Sequence, residues 1–241
     1  MKCRCDVCNE EYEEKYFDRY QNKCILHCEK DDWYELDENK NKNWDKSKGK
    51  VKKFWILIQR ELNEYYKSDF YDDYINNHTL IYDRVIFPIF EKDVPYFDGM
   101  YNIDEQGTNF YYFGEIEHQQ KKEYRLNDII DDINISFNKC TFLDNTQFWK
   151  YSFKKSLKFY SCRFTEKIFL PQELDCELIL GNCYIPNSLF LREINFKKKV
   201  TISFPKELDS ISIIGCSFNL ELDIYIDKLK NISLSSSKFY S

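Results

Sequence analysis

Five cysteines and one histidine fall within the first 28 residues: Cys3, Cys5, Cys8, Cys24, His27 and Cys28. Cys5-x-x-Cys8 and Cys24-x-x-His27 are two short donor pairs separated by 15 residues. Thiolates and an imidazole at that spacing can close around one tetrahedral ion, and zinc is the ion such a set favours. Cys28 is an alternate for His27 as fourth ligand, and Cys3 an alternate for Cys5. With every position filled by protein the site is structural, and no open coordination position remains for metal catalysis. So short a segment has little core of its own, so a bound metal would supply folding energy. Residues 1–34 therefore read as a zinc-finger-like module. Glu10–Lys23 suits a hairpin, with Tyr12, Tyr16, Phe17 and Tyr20 for packing, and Cys24–Asp32 suits the opening of a helix.

No second constellation supports a reaction. His78 and His118 are isolated. Asp98, Glu115 and Glu117 loosely match the carboxylates of a metal-dependent nuclease. The lysine expected two residues after the last of them is missing, because position 119 is Gln. With six glycines in the chain there is no phosphate-cradling loop, and no Gly-x-Ser-x-Gly elbow occurs. The expectation is a protein that is not an enzyme.

The element that must carry the metal module is a repeat. Phe137, Phe148, Phe159, Leu170, Leu180, Leu191, Ile202, Ile213, Ile224 and Leu234 recur at steps of 10 or 11. Two residues upstream of each stands Ile135, Thr146, Leu157, Ile168, Leu178, Leu189, Val200, Ile211, Leu222 or Ile232. A spacing of two puts both members of a pair on one face of a short strand. A second lattice runs between them: Phe142, Phe153, Phe164, Leu174, Ile185, Phe196, Leu208, Phe218, Leu229 and Phe239. A fixed period of this kind predicts a stacked solenoid rather than a closed globule. Segments such as Leu208-x-x-Ile211-x-Ile213 also fit a leucine-rich repeat. That architecture has one strand per ~20–29 residues and does not require apolar pairs at half the period.

Phe137-Asn138-Lys139-Cys140-Thr141-Phe142 and Phe159-Tyr160-Ser161-Cys162-Arg163-Phe164 resemble the pentapeptide-repeat family. The resemblance covers roughly 133–240. It implies a right-handed parallel β-helix of four-sided coils, about 21–22 residues each and about five in number, with one large and one small residue stacked inward. Cys140, Cys162 and Cys183 then share one face as a column of buried thiols, with Cys216 on the opposite face. Tyr151, Gln172, Ile194, Lys206 and Asp227 depart from the family's small slots, so bulges, loops or outward-facing positions are expected there. The metal module, in turn, resembles a treble-clef or zinc-ribbon-like finger.

Composition frames the rest. The chain has 241 residues, 43% hydrophobic and 32% charged, and lacks alanine. That is enough apolar content to fold. Its net charge is −6, unevenly placed. Residues 131–241 carry 15 Lys+Arg against 13 Asp+Glu, leaving 20 against 28 in residues 1–130. No apolar run reaches the ~18 residues of a membrane span. The start lacks a signal peptide's apolar stretch, and the ten cysteines suit reduced thiols and metal ligands, so a cytoplasmic protein is expected. Residues 35–50, rich in Lys and Asn, read as a linker. Val51, Phe54, Trp55, Ile58, Leu62 and Tyr65 follow helical spacing and predict a helix over about 50–67. The segment from Ile81 to Phe113 predicts strands and loops. Residues 51–132 thus form a mixed α/β cap for the stack, and 133–241 the β-helix.

A solenoid presents surfaces, so the expected function is a non-catalytic scaffold or adaptor that binds an unidentified protein partner. Candidate contacts are Lys154, Lys155, Lys158 and Arg163 and the Lys197-Lys198-Lys199 corner. A DNA-mimic protein that engages topoisomerase is the alternative that the family resemblance implies, and the near-neutral repeat disfavours it. Nucleic-acid binding through the finger and the linker lysines is a further alternative. Phe239 and Tyr240 suggest self-association through the last coil.

Overall fold

The computed structural model describes residues 1–67, 79–89, 102–103, 109–110, 134–148, 153–205 and 207–240. The chain is mainly β, and its larger part winds as a parallel β-solenoid of about five coils. One side of the stack is a six-stranded parallel sheet. Its strands are Thr79–Asp83, Asn134–Asn138, Ser156–Tyr160, Glu177–Gly181, Val200–Phe204 and Leu222–Ile226. A second side begins with Ile86–Phe87, Thr141–Phe142 and Arg163–Phe164. Ser188–Arg192, Leu208–Ile214 and Leu229–Ser235 make most of a third, and Glu173–Leu174, Asn195–Phe196, Ser217–Phe218 and Lys238–Phe239 a fourth.

The apolar lattice is the interior of this stack. Phe137 sits in register with Phe159, and Phe159 with Leu180. The column continues through Ile202 and Ile224. Phe137 and Phe159 stack at 5.0 Å between ring centroids. Phe87, Phe142 and Phe164 form a second column at 4.8 and 4.7 Å, and Phe196, Phe218 and Phe239 a third at 4.8 and 5.1 Å. Parallel strands spaced ~4.8 Å apart place like residues directly over one another, so a repeat in sequence becomes a column in space.

Left-handed residues turn two of the corners. Arg84, Lys139, Ser161 and Asn182 mark one corner in successive coils, and Glu193, Gly215 and Ser236 another. The residue that follows fills the small inward slot: Val85, Cys140, Cys162 and Cys183 at the first corner, Ile194, Cys216 and Ser237 at the second. The thiols are hydrogen-bonded as well as buried. Cys140 Sγ donates to the carbonyl of Tyr82 at 3.2 Å, Cys162 to that of Phe137 at 3.1 Å, and Cys183 to that of Phe159 at 3.4 Å. Of the residues that depart from the small slots, Ile194 is buried, while Gln172 and Asp227 face solvent. Tyr151 and Lys206 lie outside the described residues.

The stack starts earlier than the sequence repeat suggests. Thr79–Asp83 and Ile86–Phe87 form a rung beneath Asn134–Phe142, with Tyr82 stacked on Phe137 at 5.5 Å. Residues 90–133 separate this rung from the next, which breaks the eleven-residue rhythm on which the repeat is recognised.

The N-terminal region folds onto that first rung. Lys2–Arg4 pairs with Glu11–Glu13, and Phe17–Asp18 with Lys23–Cys24, both antiparallel. No helix opens at 24–32. Tertiary hydrogen bonds fix that path instead, with Ile25 N donating to Tyr16 O at 2.8 Å and Glu29 N to the Gln21 side chain at 2.7 Å. Residues 35–50, read as a linker, hold a hairpin of Glu35–Leu36 and Lys42–Asn43. Its turn is closed by the Asp37 carboxylate, which accepts from Asn39 N and Asn41 N at 2.8 Å each. Trp44 anchors the segment. It is buried, and its Nε1–H donates to Asp144 Oδ2 at 2.9 Å.

The helix spans Lys48–Lys67. Val51, Phe54, Trp55, Leu57 and Ile58 form its buried stripe, and the rings of Phe54 and Trp55 approach Phe87 at 5.6 and 6.0 Å. The helix therefore lies against the start of the stack. Asn102–Ile103 and Asn109–Phe110 form a small antiparallel pair. Tyr111, Tyr112, Phe113, His78, Asp98, Glu115, Glu117 and His118 lie outside the described residues. No helix among the described residues is long and apolar enough to cross a membrane.

Candidate metal centre

The two hairpins bring the donor pairs together. Cys5 and Cys8 sit in the tight connection between Lys2–Arg4 and Glu11–Glu13. That turn is closed by Asn9 N donating to Cys5 O at 2.8 Å, with Asn9 in the left-handed region at φ 63°. Cys24 ends the second hairpin. Its carbonyl accepts from His27 N at 2.9 Å and Cys28 N at 3.0 Å, which curls the chain so that His27 faces the sulfurs. The ligand atoms of Cys5, Cys8, Cys24 and His27 all lie within 4.8 Å of one another.

His27 fixes the chemistry of the set. Its Nε2 lies 3.0 Å from the carbonyl oxygen of Asp83, on the first solenoid rung. A carbonyl only accepts, so Nε2 carries the proton and Nδ1 is left with its lone pair. Nδ1 faces the cluster, 3.0 Å from Cys24 Sγ and 3.8 Å from Cys5 Sγ. A metal-binding histidine usually donates its other N–H to such an acceptor, which orients the ring and sets the tautomer. Burial lowers the His27 pKa and so favours the neutral imidazole that a metal requires.

The sulfurs are differently placed. Burial would push Cys5 up, but backbone hydrogen bonds from the Cys24, Cys8 and Val7 positions draw its pKa down overall. The Val7 amide lies 3.4 Å from Cys5 Sγ. Burial raises Cys24 and Cys8. A cation would reverse those two shifts by favouring the thiolates. Cys5, Cys24 and His27 are buried and Cys8 half-buried. Soft sulfur and imidazole donors, nearly dry and at this separation, fit one tetrahedral metal ion. The four would hold it, and its chemistry there would be cross-linking of the two hairpins.

The alternates are elsewhere. Cys28 is buried, but its Sγ faces the carbonyl of Ile25 at 3.7 Å. Cys3 lies on the first strand opposite Tyr12. Neither belongs to the cluster. One neighbour escapes sequence reasoning altogether. Lys30 is fully enclosed, its Nζ donating to Cys28 O at 3.0 Å and lying about 5 Å from the rings of Trp33 and Phe54. Burial lowers its pKa to about 8. A lysine in a polar stretch reads as solvated, and only the folded contacts show otherwise.

The thiol column in the stack is not a second centre. Contact with Cys162 and burial raise Cys183, and burial raises Cys140. Among the described residues the column brings no histidine or carboxylate into a metal-ligand group. Cys162 is drawn the other way, because its sulfur accepts from both Cys140 and Cys183. A chain of sulfur-to-sulfur hydrogen bonds, with each Sγ also facing a main-chain carbonyl, accounts for the column.

No family model, curated protein or solved structure matches the chain. Fold and site together define a parallel β-solenoid whose N-terminal module carries a three-cysteine, one-histidine cluster able to hold a metal ion.

Proposed function

We propose that this chain is a non-catalytic scaffold of the pentapeptide-repeat kind, wound right-handed, which uses its outer faces to bind a protein partner. The ion at Cys5, Cys8, Cys24 and His27 is zinc in a structural role. The observation that carries the reading is the outer surface of the stack. Aromatic side chains stand out from it: Tyr160, Phe169, Tyr184 and Phe190 are each 41–48% exposed. Aromatics anchor protein interfaces because they bury much area at little entropic cost. A rigid backbone lowers the ordering cost of binding further.

Charge on the stack favours a protein partner over a nucleic acid or a DNA mimic. Lys158 pairs with Glu177, Lys197 with Glu173, and Lys199 with Glu221 and Asp223. Interleaved signs make neither the basic stripe that phosphates require nor the acidic one that mimicry requires. Lys154, Lys155 and Lys198 are exposed as well and contribute to partner contact. In the last coil the inward-type side chains Ile232, Leu234 and Phe239 are 53–54% exposed, which supports a second copy as a further partner. A monomeric mass by sedimentation would remove that part.

The test is affinity capture from the native host, then rebinding with purified partner. Phe169→Ser and Phe190→Ser should each weaken rebinding by about tenfold or more, with a stability loss of only about 1–2 kcal/mol from the half-buried ring, so that the chain stays folded. Rebinding unaffected by every change at an outward aromatic or lysine would refute the scaffold surface. Metal analysis should return about one zinc per chain.

A further inference from the structure

We propose that the metal module serves as a surrogate coil: it completes the hydrogen bonds of the first solenoid rung, and a metal ion on Cys5, Cys8, Cys24 and His27 locks it there. The inference rests on the metal reading above and adds a partner for it, the stack itself.

The corner hydrogen bonds of the solenoid repeat from coil to coil. Asn138 O accepts from Arg84 N, Tyr160 O from Lys139 N, and Gly181 O from Ser161 N, each at 2.8 Å. In every case the left-handed residue of the preceding coil is the donor. A few residues on, the direction reverses. Thr141 N donates to Val85 O at 2.9 Å, Arg163 N to Cys140 O at 2.8 Å, and Tyr184 N to Cys162 O at 2.8 Å. Here the small-slot residue of the preceding coil is the acceptor.

In the first rung the matching groups are Asp83 C=O and Ile86 N–H, by their register with Asn138 and Thr141. No earlier coil lies among the described residues to meet them, and a strand edge with unmet polar groups is a site of fraying or unwanted pairing. Two consecutive residues of the metal module meet both. His27 Nε2–H donates to Asp83 O at 3.0 Å, and Leu26 O accepts from Ile86 N at 2.9 Å. Leu26 supplies the carbonyl of the missing small-slot residue, and the His27 ring supplies the donor of the missing corner residue.

The imidazole is a rigid link. One nitrogen faces the sulfurs and the other holds the solenoid, 56 residues away in sequence. A ligand bond at Nδ1 restricts ring rotation and keeps Nε2 protonated and aimed at Asp83. Metal binding and first-rung order are therefore linked, each favouring the other.

The experiment is hydrogen exchange by mass spectrometry on the full chain, zinc-loaded and chelated, with metal content measured on the same samples. Chelation should speed exchange over 79–87 by about fivefold to tenfold, the worth of a lost hydrogen bond, and leave 208–235 unchanged. His27→Cys keeps four soft ligands but has no Nε2–H. It should retain about one zinc per chain and still show fast exchange over 79–87. Zinc that binds and leaves without altering exchange at 79–87 overturns the coupling, as does exchange that rises equally in all coils. Failure of the wild-type chain to bind zinc refutes the metal reading itself, a distinct outcome.

Discussion

Phe159→Ala tests the stacked interior most directly. Phe159 is fully buried, in register with Phe137 below and Leu180 above, and its ring stacks on Phe137 at 5.0 Å. Truncating a buried phenylalanine costs about 3–5 kcal/mol, because the coils on either side relax only partly into the void. Phe239 occupies the same kind of lattice position in the last coil but is 53% exposed, with Phe218 as its stacking partner. Phe239→Ala should cost about 1–2 kcal/mol, roughly half of a full burial term with little cavity contribution. The assay is urea unfolding of the zinc-loaded chain followed by far-ultraviolet circular dichroism, which reports the β-structure. With a slope of about 2–3 kcal/mol per molar urea for a chain of this size, Phe159→Ala should lower the midpoint by about 1.5 M and Phe239→Ala by about 0.5 M. Phe159→Leu should cost only about 1 kcal/mol, because a leucine, Leu180, already occupies the next level of that column. If Phe159→Ala proves no more harmful than Phe239→Ala, the interior column is wrong and the solenoid argument falls with it.

Other outcomes follow from single residues. Gly215 turns a corner at φ 63° with room for a methyl group, so Gly215→Ala should cost about 1–2 kcal/mol through backbone strain alone. Gly49 lies in the first turn of the helix with nothing within 4 Å of an added Cβ. Gly49→Ala should stabilise by about 0.5–1 kcal/mol, and thermal melts of the pair check the opposite signs. Lys30 has its pKa lowered by burial from 10.5 to about 8, whereas the unfolded chain keeps that proton to higher pH. Burial of the cation thus costs about 3 kcal/mol at neutral pH, and the cost fades as pH rises from about 8 to 10.5. Lys30→Met should stabilise the metal-free chain by about 1–3 kcal/mol at pH 7 and by much less at pH 10.5. Denaturant titrations at both pH values decide this, and a loss of stability at pH 7 refutes it. Trp44→Phe should cost about 1 kcal/mol by removing the bond to Asp144, read as a lowered melting temperature.

Much of the architecture was legible in spacing. An eleven-residue rhythm of Phe, Leu and Ile with partners two residues upstream admits few shapes, and the columns through Phe137 and Phe142 are among its direct consequences. The four residues of the candidate metal cluster were legible for a similar reason, since Cys-x-x-Cys and Cys-x-x-His pairs act over a few residues and need only one turn each. Rung Thr79–Asp83 was hidden because a single rung has no period. Trp44 and Lys30 were hidden because their neighbours are Lys, Asn and Asp, and local composition says nothing of what lies across the fold.

Sequence alone determined the inward-facing residues of the repeated coils and the donors of the candidate metal centre, because both depend on local periodicity and the geometry of short turns. Tertiary structure decided what those parts touch. The approach of His27 to Asp83 and of Leu26 to Ile86 joins residues about 60 positions apart. It depends on a strand edge that meets no earlier coil among the described residues, and such an edge exists only once the chain has wound.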